Sequence, residues 1–369
     1  MANSAEKLGE YKRTLEQLTN GVFVGHSVTL GSKLGLFKLL DEFSSPENPK
    51  TSLEIADKAN MKERYVREWL NGMVVAKLVE CDSDVKHYWL LPGAYKALTG
   101  GQGLISFMPY FLDDITAISQ QLRDCFAKDG PRGTEYSNYK NFHGAMEAFS
   151  GPLFKTKLVN AWLPAMLGNY NILDRLKTGS DVCMLDIGCS TGSAVRALAV
   201  GYKNALVFGI DYDQSAIDSA NQLHADVDNA KFVYGDAGRM LDDHPDWADK
   251  FDLITDFDAL HDLSRPDLML QSIPRILKPG GVFFCADVNC SSNAATDRDT
   301  ISSAPAIYSI SLFHCMPVSL NYEDGLGYGA AWGTKTAKEL MERCGLKDVR
   351  LVTVPDDYNA YFIWMKPTA

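Results

Sequence analysis

The sequence contains no apolar run approaching the roughly 20 residues that a membrane-spanning helix needs. Its first residues, Met1 to Lys7, carry no apolar signal core. Basic residues are in deficit: 36 Lys and Arg stand against 47 Asp and Glu, a formal net charge of −11. Such a balance argues against a general surface for neutralising nucleic-acid phosphates. The eight cysteines include no C-x-x-C pair, and their spacing fits no zinc site. Free thiols and no metal are the expectation. No internal repeat is evident. Together these absences leave a cytoplasmic enzyme as the default. What is present is ordinary globular material: 369 residues, 46% apolar, enough for two domains and a large core.

The richest segment is Val182-Cys183-Met184-Leu185-Asp186-Ile187-Gly188-Cys189-Ser190-Thr191-Gly192. An apolar strand ends at an acid, a glycine turn follows, and a helix starts near Ser193. In open α/β sheets, ligands bind beyond the carboxyl ends of such strands. A dinucleotide site wants G-x-G-x-x-G, whereas Gly188 and Gly192 are spaced G-x-x-x-G, with Ser190 between them. An acid beside a pyrophosphate would repel it; beside a cationic ligand it fits. The D-x-G-x-x-x-G pattern resembles motif I of class I S-adenosylmethionine-dependent methyltransferases.

Apolar strands and helices alternate from Asp181 onward, which implies a parallel sheet covered on both faces. The strands read are Cys183–Asp186, Leu206–Asp211, Lys231–Tyr234, Phe251–Asp256, Gly281–Asp287, Lys347–Val354 and Ala360–Met365, the last two forming an antiparallel edge hairpin. Asp211, 19 residues after Gly192, can accept ribose hydroxyls or cap the next helix. Tyr212 would pack on adenine. Asp236 ends the next strand in Gly235-Asp236-Ala237 and can accept from the adenine amino group. Leu277-Lys278-Pro279-Gly280-Gly281 reads as a turn. G-D-A and L-k-P-G-G both resemble the same family, and the resemblance implies cofactor contacts from Asp186, Gly188, Gly192, Asp211, Tyr212, Asp236, Ala237, Asp256 and Phe257.

His261-Asp262 follows the fourth strand of this sheet. In plant-type O-methyltransferases a His-Asp pair at the equivalent place carries the general base, so His261 is the catalytic candidate, with Asp262 or another carboxylate orienting it. A neutral imidazole of ordinary pKa ~6.5 accepts a proton at neutral pH. The other reading is a histidine that caps a helix or packs under the sheet rim. Leu263 stands where the plant enzymes have Trp, which leaves a phenolic substrate unsupported. His314, in Phe313-His314-Cys315-Met316-Pro317, is a second candidate.

The N-terminal part reads as an arm over residues 1–25, a helical stripe from His26 to Phe43, and a capping-box helix opening at Thr51-Ser52-Leu53-Glu54. A third helix spans Lys62–Val75, and two short strands follow around Lys77–Glu80 and His87–Pro92. This is a winged-helix order. Residues 26–100 hold ten Lys/Arg and ten Asp/Glu, whereas a DNA reader should present a basic face. The segment resembles the N-terminal module of two-domain small-molecule methyltransferases, which implies homodimerisation and capping of the substrate.

The expected organisation is a winged-helix domain over 1–100, a helical linker and lid over 101–180, and a methyltransferase domain over 181–369. The fold class is α/β: a Rossmann-like seven-stranded sheet behind an all-α/winged-helix dimerisation domain. The cofactor implied is S-adenosyl-L-methionine. The acceptor implied is a small hydroxyl or thiol, with neither nucleic acid nor membrane as partner. Candidate acceptor-side residues are Tyr136, Tyr139, Phe142, His143, His314, Met316 and Trp332, the last lying in a glycine-rich aromatic stretch. The alternatives are a cofactor-sensing transcription regulator and an NAD-dependent oxidoreductase.

Overall fold

The computed structural model describes residues 4–99, 104–179, 181–354 and 357–368, with backbone only for 104–109. Contacts divide the chain into two units: residues 1–114 with 144–149, and 115–143 with 150–369. The boundaries expected at 100/101 and 180/181 fall on residues outside those described.

The first unit runs α1 (Ser4–Lys33), α2 (Leu36–Phe43), β1 (Lys50–Thr51), α3 (Ser52–Ala59), α4 (Glu63–Val75), β2 (Glu80–Cys81) and β3 (His87–Trp89). The strands form a small antiparallel sheet in the order β1-β3-β2. The break between the first two helices lies at Gly35, not near residue 25. Gly35 takes φ 72°, a left-handed conformation that glycine adopts without steric cost. Thr51 caps α3 with both capping-box bonds in place, an arrangement worth about 1 kcal/mol. Leu36, Leu40, Ile55, Leu70, Met73 and Tyr88 form the core. Gly31 lies flat against Trp69, where a Cβ would come within 2.3 Å of the indole; the indole N–H donates to the Ser27 carbonyl at 2.9 Å.

Two surface features mark this unit. On α4, Arg67 pairs with Glu63 at 3.2 Å and Arg64 pairs with Glu68, so its basic side chains are neutralised on their own helix. Along α1, residues 10–23 are exposed throughout. Leu8, Tyr11, Leu15, Leu18 and Val22 are 55%, 61%, 46%, 60% and 59% exposed. Their alternating 3–4 spacing puts them in one heptad stripe.

The second unit holds a seven-stranded sheet of β4 (Val182–Ile187), β5 (Ala205–Asp211), β6 (Ala230–Tyr234), β7 (Phe251–Phe257), β8 (Leu277–Val288), β9 (Arg350–Thr353) and β10 (Asn359–Met365). The order is β6-β5-β4-β7-β8-β10-β9. The five strands β4 to β8 are parallel, and β10 is antiparallel to both neighbours. Alternation sets the two faces. Leu185, Ile187 and Ile254 pack under the helix Pro266–Ile276 on one side. Met184, Val207 and Leu253 pack against the helix Ser193–Gly201 on the other. The turn expected at Pro279-Gly280-Gly281 is absorbed into β8 as an irregularity. Pairing jumps from Phe251↔Leu277 to Leu253↔Val282, with Gly280 at φ 75°.

At the amino end of this sheet, buried Asp252 accepts from the Cys183 N–H and Lys278 Nζ at 2.9 and 2.8 Å, and from Arg175. Stranding such a carboxylate without its cations would cost about 3–5 kcal/mol. Among the described residues, no helix is long and apolar enough to cross a membrane. The eight cysteines are free thiols.

Candidate functional site

The strand order reverses at β4, where the chain returns from β6 to place β7 on the other side of it, and such a point is where open α/β sheets bind ligands. A cleft of about 600 Å³ opens there, lined by Gly188, Asp211, Tyr212, Asp236, Ala237 and Asp262 among others. That size suits a small-molecule cofactor. Of the residues the sequence singled out, these six line it. Asp186, Gly192, Asp256 and Phe257 do not. Leu263, beside the His-Asp pair, also lines it; Tyr234, Arg239, Arg265 and Tyr322 do so too and were missed, because no motif marks them.

The turn after β4 is built by close approach. Gly188 takes φ 68°, and a Cβ on it would lie 2.4 Å from that of Ala259; on Gly192, at φ 89°, it would strike the Phe232 ring at 2.5 Å. Only glycine fits at either place. Ser190 between them is also left-handed, at φ 48°. Asp211 accepts from the backbone N–H groups of Ser190 and Asp213 at 2.8 and 2.9 Å. Burial raises its pKa, opposed by those same hydrogen bonds. Each carboxylate oxygen has a second lone pair, so Asp211 retains capacity for a ligand hydroxyl. The residue that caps the next helix is Asp213, which accepts from the Ser215 N–H at 2.8 Å. Asp236 accepts from the Gly238 N–H at 2.8 Å.

Acids converge behind the cleft. Asp186 accepts from Thr255 Oγ1 at 2.6 Å, and burial pushes its pKa up to about 7. Asp256 is fully buried; burial, then repulsion from Asp287 and Asp186, raises it well above the usual range. Its Oδ1 accepts from the Leu260 N–H at 3.2 Å, so it shapes the loop after β7. Phe257 is core, its ring 5.0 Å from Phe154 and 5.9 Å from Phe284. Asp258 is raised to about 7 by burial and by Asp287.

His261 lies among these acids, 4% exposed. Its Nδ1 is 2.6 Å from Asp287 Oδ1, and its Nε2 is 3.3 Å from Asp262 Oδ1. Burial alone would lower the imidazole pKa, but Asp287 and Asp262 outweigh it and hold it well above 6.5. The two carboxylates thus favour the charged ring over the neutral one expected from an unperturbed histidine. The orienting carboxylate is Asp287, at the end of β8, 26 residues away in sequence. Nothing local in the sequence ties the two. Cys315, also unassigned by motif, bonds to the same imidazole, and burial raises its thiol to about 12.

Aromatic rings gather above. His314 is fully buried and stacks on Phe142 at 3.7 Å and 12°; Tyr139 meets it edge-on at 4.5 Å. Burial lowers His314 to about 4, so it is neutral. Tyr139 donates to the Phe313 carbonyl at 2.7 Å. Tyr136 spans the group, 5.3 Å from Tyr212 and 5.8 Å from His314. Met316 is half-buried against the Gly329 backbone. Trp332 packs into the main core beside Tyr328 and does not line the cleft.

Comparison with known proteins agrees with this arrangement. Residues 178–342 match the family model of a methyltransferase domain, and residues 23–100 match the Rv2258c-like winged helix-turn-helix domain. A demethylmenaquinone methyltransferase of Staphylococcus aureus is 29% identical over 136 residues, covering 36% of this chain and 51% of that protein. A fatty-acid O-methyltransferase of Mycolicibacterium smegmatis is 30% identical over 104 residues, covering 28% and 36%. The chain thus spans about half or less of the length of these curated relatives. Solved structures align along nearly its whole length. A putative O-methyltransferase from Nostoc punctiforme aligns with TM-score 0.69 at 17% identity, covering 96% of this chain and 99% of that one. Human N-acetylserotonin methyltransferase, in complex with S-adenosylmethionine, aligns with TM-score 0.64 at 17% identity, covering 97% and 98%. At such identities the likeness is one of fold.

Proposed function

We propose that this chain, a two-domain class I S-adenosylmethionine-dependent methyltransferase, methylates a hydroxyl oxygen on a small acceptor. The observation that carries the reading is the pairing of one cleft with one buried histidine held by a carboxylate. Asp211 and Asp236 line the cleft at adjacent strand ends, and the His261–Asp287 pair lies buried beside it. The residues fit the cofactor. Asp211 would take the ribose hydroxyls, Asp236 the adenine amino group, and Tyr212 the adenine ring. The buried acids behind the cleft, with raised pKa values, suit a cationic guest. When bound, S-adenosylmethionine supplies an activated methyl and its own leaving group.

The protein's share is positioning, exclusion of water and removal of a proton. Asp287 holds Nδ1 of His261 in its protonated form, which leaves Nε2 to exchange a proton with the acceptor. For a hydroxyl acceptor the O–H proton passes to Nε2, and Asp287 stabilises the imidazolium that results. Because Asp287 and Asp262 favour the charged ring, the productive form is the fraction that has lost the Nε2 proton. A thiol, with pKa near ~8.5 against ~10 for a phenol, asks less of such a base. The investment in a buried His–Asp pair therefore favours oxygen.

A transcription-regulator role is disfavoured by α4, whose arginines are paired with its own glutamates. The same unit supports self-association: an exposed heptad stripe on α1 needs a partner, and a second copy supplies the matching one. Calorimetry with S-adenosylhomocysteine tests the cofactor assignment. Wild type should bind, and Asp211→Ala should lose at least about tenfold in affinity, roughly 1.4 kcal/mol. Absence of binding to wild type rejects the reading. A screen of phenols, aliphatic alcohols, carboxylates and thiols with methyl-labelled cofactor then tests oxygen against sulfur.

A further inference from the structure

We infer that His143 is a positioning residue for the ribose-binding carboxylate, acting through Ser190 and Asp213. Its Nδ1 is 2.8 Å from Ser190 Oγ, and its Nε2 is 2.8 Å from Asp213 Oδ2. Those two residues are the ones whose backbone N–H groups hold Asp211. His143, Ser190, Asp211 and Asp213 therefore form a closed circuit. One imidazole grips both sides of the acid that lines the cleft.

The circuit also accounts for serine at position 190. A non-glycine residue at φ 48° costs roughly 1–2 kcal/mol against glycine. Glycine would make the turn without strain, so the hydroxyl must contribute something glycine lacks. It contributes the bond to His143. The proton assignment follows from the partners. Burial works against the Asp213 carboxylate, but hydrogen bonds from His143 and Ser215 outweigh it and lower its pKa. Asp213 is thus an ionised acceptor. Nε2 therefore donates to it, and Nδ1 bonds to the Ser190 hydroxyl, which can donate or accept. The residue just before His143 is Phe142, stacked on His314, and Tyr136 lies 5.5 Å from the His143 ring. The same residue thereby ties the aromatic cover to the cofactor turn.

This inference rests on the cofactor reading above and names one chemical group, the vicinal diol of an adenosine ribose. The test uses the full chain and calorimetry with 5′-methylthioadenosine, its 2′-deoxy analogue and S-adenosylhomocysteine. Wild type should prefer the ribo compound. His143→Ala and Ser190→Ala should each weaken S-adenosylhomocysteine by about tenfold and shrink the ribo-over-deoxy preference toward unity. The double variant should lose no more than either single one, and His143→Gln, which keeps a donor toward Asp213, should recover part of the preference. Melting temperatures separate misfolding from misalignment, with Ser190→Ala as the variant least exposed to it. An undiminished ribo preference in His143→Ala and Ser190→Ala overturns the inference while leaving the cofactor reading intact. Failure of wild type to bind S-adenosylhomocysteine overturns both.

Discussion

Asp186→Asn should make the protein more stable, and should do so only above the pH at which the carboxylate of the unfolded chain ionises. The aspartate is 2% exposed and titrates near pH 7 because it is buried, against about 3.9 in an unfolded chain. At 1.36 kcal/mol per tenfold, the ionised native form is disfavoured by about 4 kcal/mol. The sign follows from the direction of the shift. Below pH ~4 the group is protonated folded or unfolded, and the substitution changes nothing through this route. Between about pH 4 and 7 the unfolded chain ionises first and native stability falls. Above about pH 7 the full cost is present. Urea unfolding should therefore show a gain of about 1–2 kcal/mol at pH 5, growing to about 4 kcal/mol at pH 8 as an upper bound. The asparagine carbonyl can still accept from Thr255. The same carboxylate should lose its proton when a cationic cofactor binds. At pH 7, binding enthalpies of wild type should then differ between phosphate and Tris buffers, and those of Asp186→Asn should not. A stability gain independent of pH, or the same buffer dependence in both proteins, would refute the reasoning.

His261 is held above its usual pKa by Asp287 and Asp262, so the acidic limb of the kcat profile should lie above pH 6.5. Removing a neighbouring negative charge lowers an imidazole pKa, so Asp287→Asn should move that limb to lower pH while reducing kcat; a limb that stays in place rejects the pairing. His261→Ala should cut turnover by at least about 100-fold with S-adenosylhomocysteine affinity unchanged, and unaltered turnover rejects the base. Leu15→Glu with Leu18→Glu should convert dimers to monomers by light scattering, with lower helical ellipticity at 222 nm, since an unpartnered α1 is marginal in water. A dimer that survives places the seam elsewhere.

The strands were legible because parallel strands buried on both faces read as unbroken apolar runs: Met184 and Leu185 point to opposite faces, and both are buried. The acids that line the cleft, Asp211 and Asp236, were legible because each stands at the end of a strand. The helix break at Gly35 was not, because the apolar stripe continues past it and only the glycine's backbone angle marks the bend. Asp287 and Cys315 escaped for a different reason. Their tie to His261 forms only when β7, β8 and the segment around residue 315 meet, and no sequence period connects them. The upward shift of the His261 pKa is likewise set in large part by Asp287, brought from elsewhere in the chain. Ser190 was visible as a departure from glycine, but its partner His143 lies 47 residues earlier.

Floor and cover of the cleft come from different stretches of chain. The floor is drawn from the strand ends between Gly188 and Asp262, where glycines meet neighbouring atoms too closely to admit a Cβ. The cover is drawn from Val318 and Tyr322, which line the cleft, and from the rings of residues 136–143, which reach it through Tyr136 on Tyr212. Substitutions in the cover can accumulate without disturbing the floor, provided His143 keeps its hold. Such an architecture is evolvable in one direction: the methyl donor stays fixed while the acceptor is free to change. Close relatives of this chain should therefore share affinity for one cofactor and diverge in what they methylate, with the differences concentrated in those two short segments.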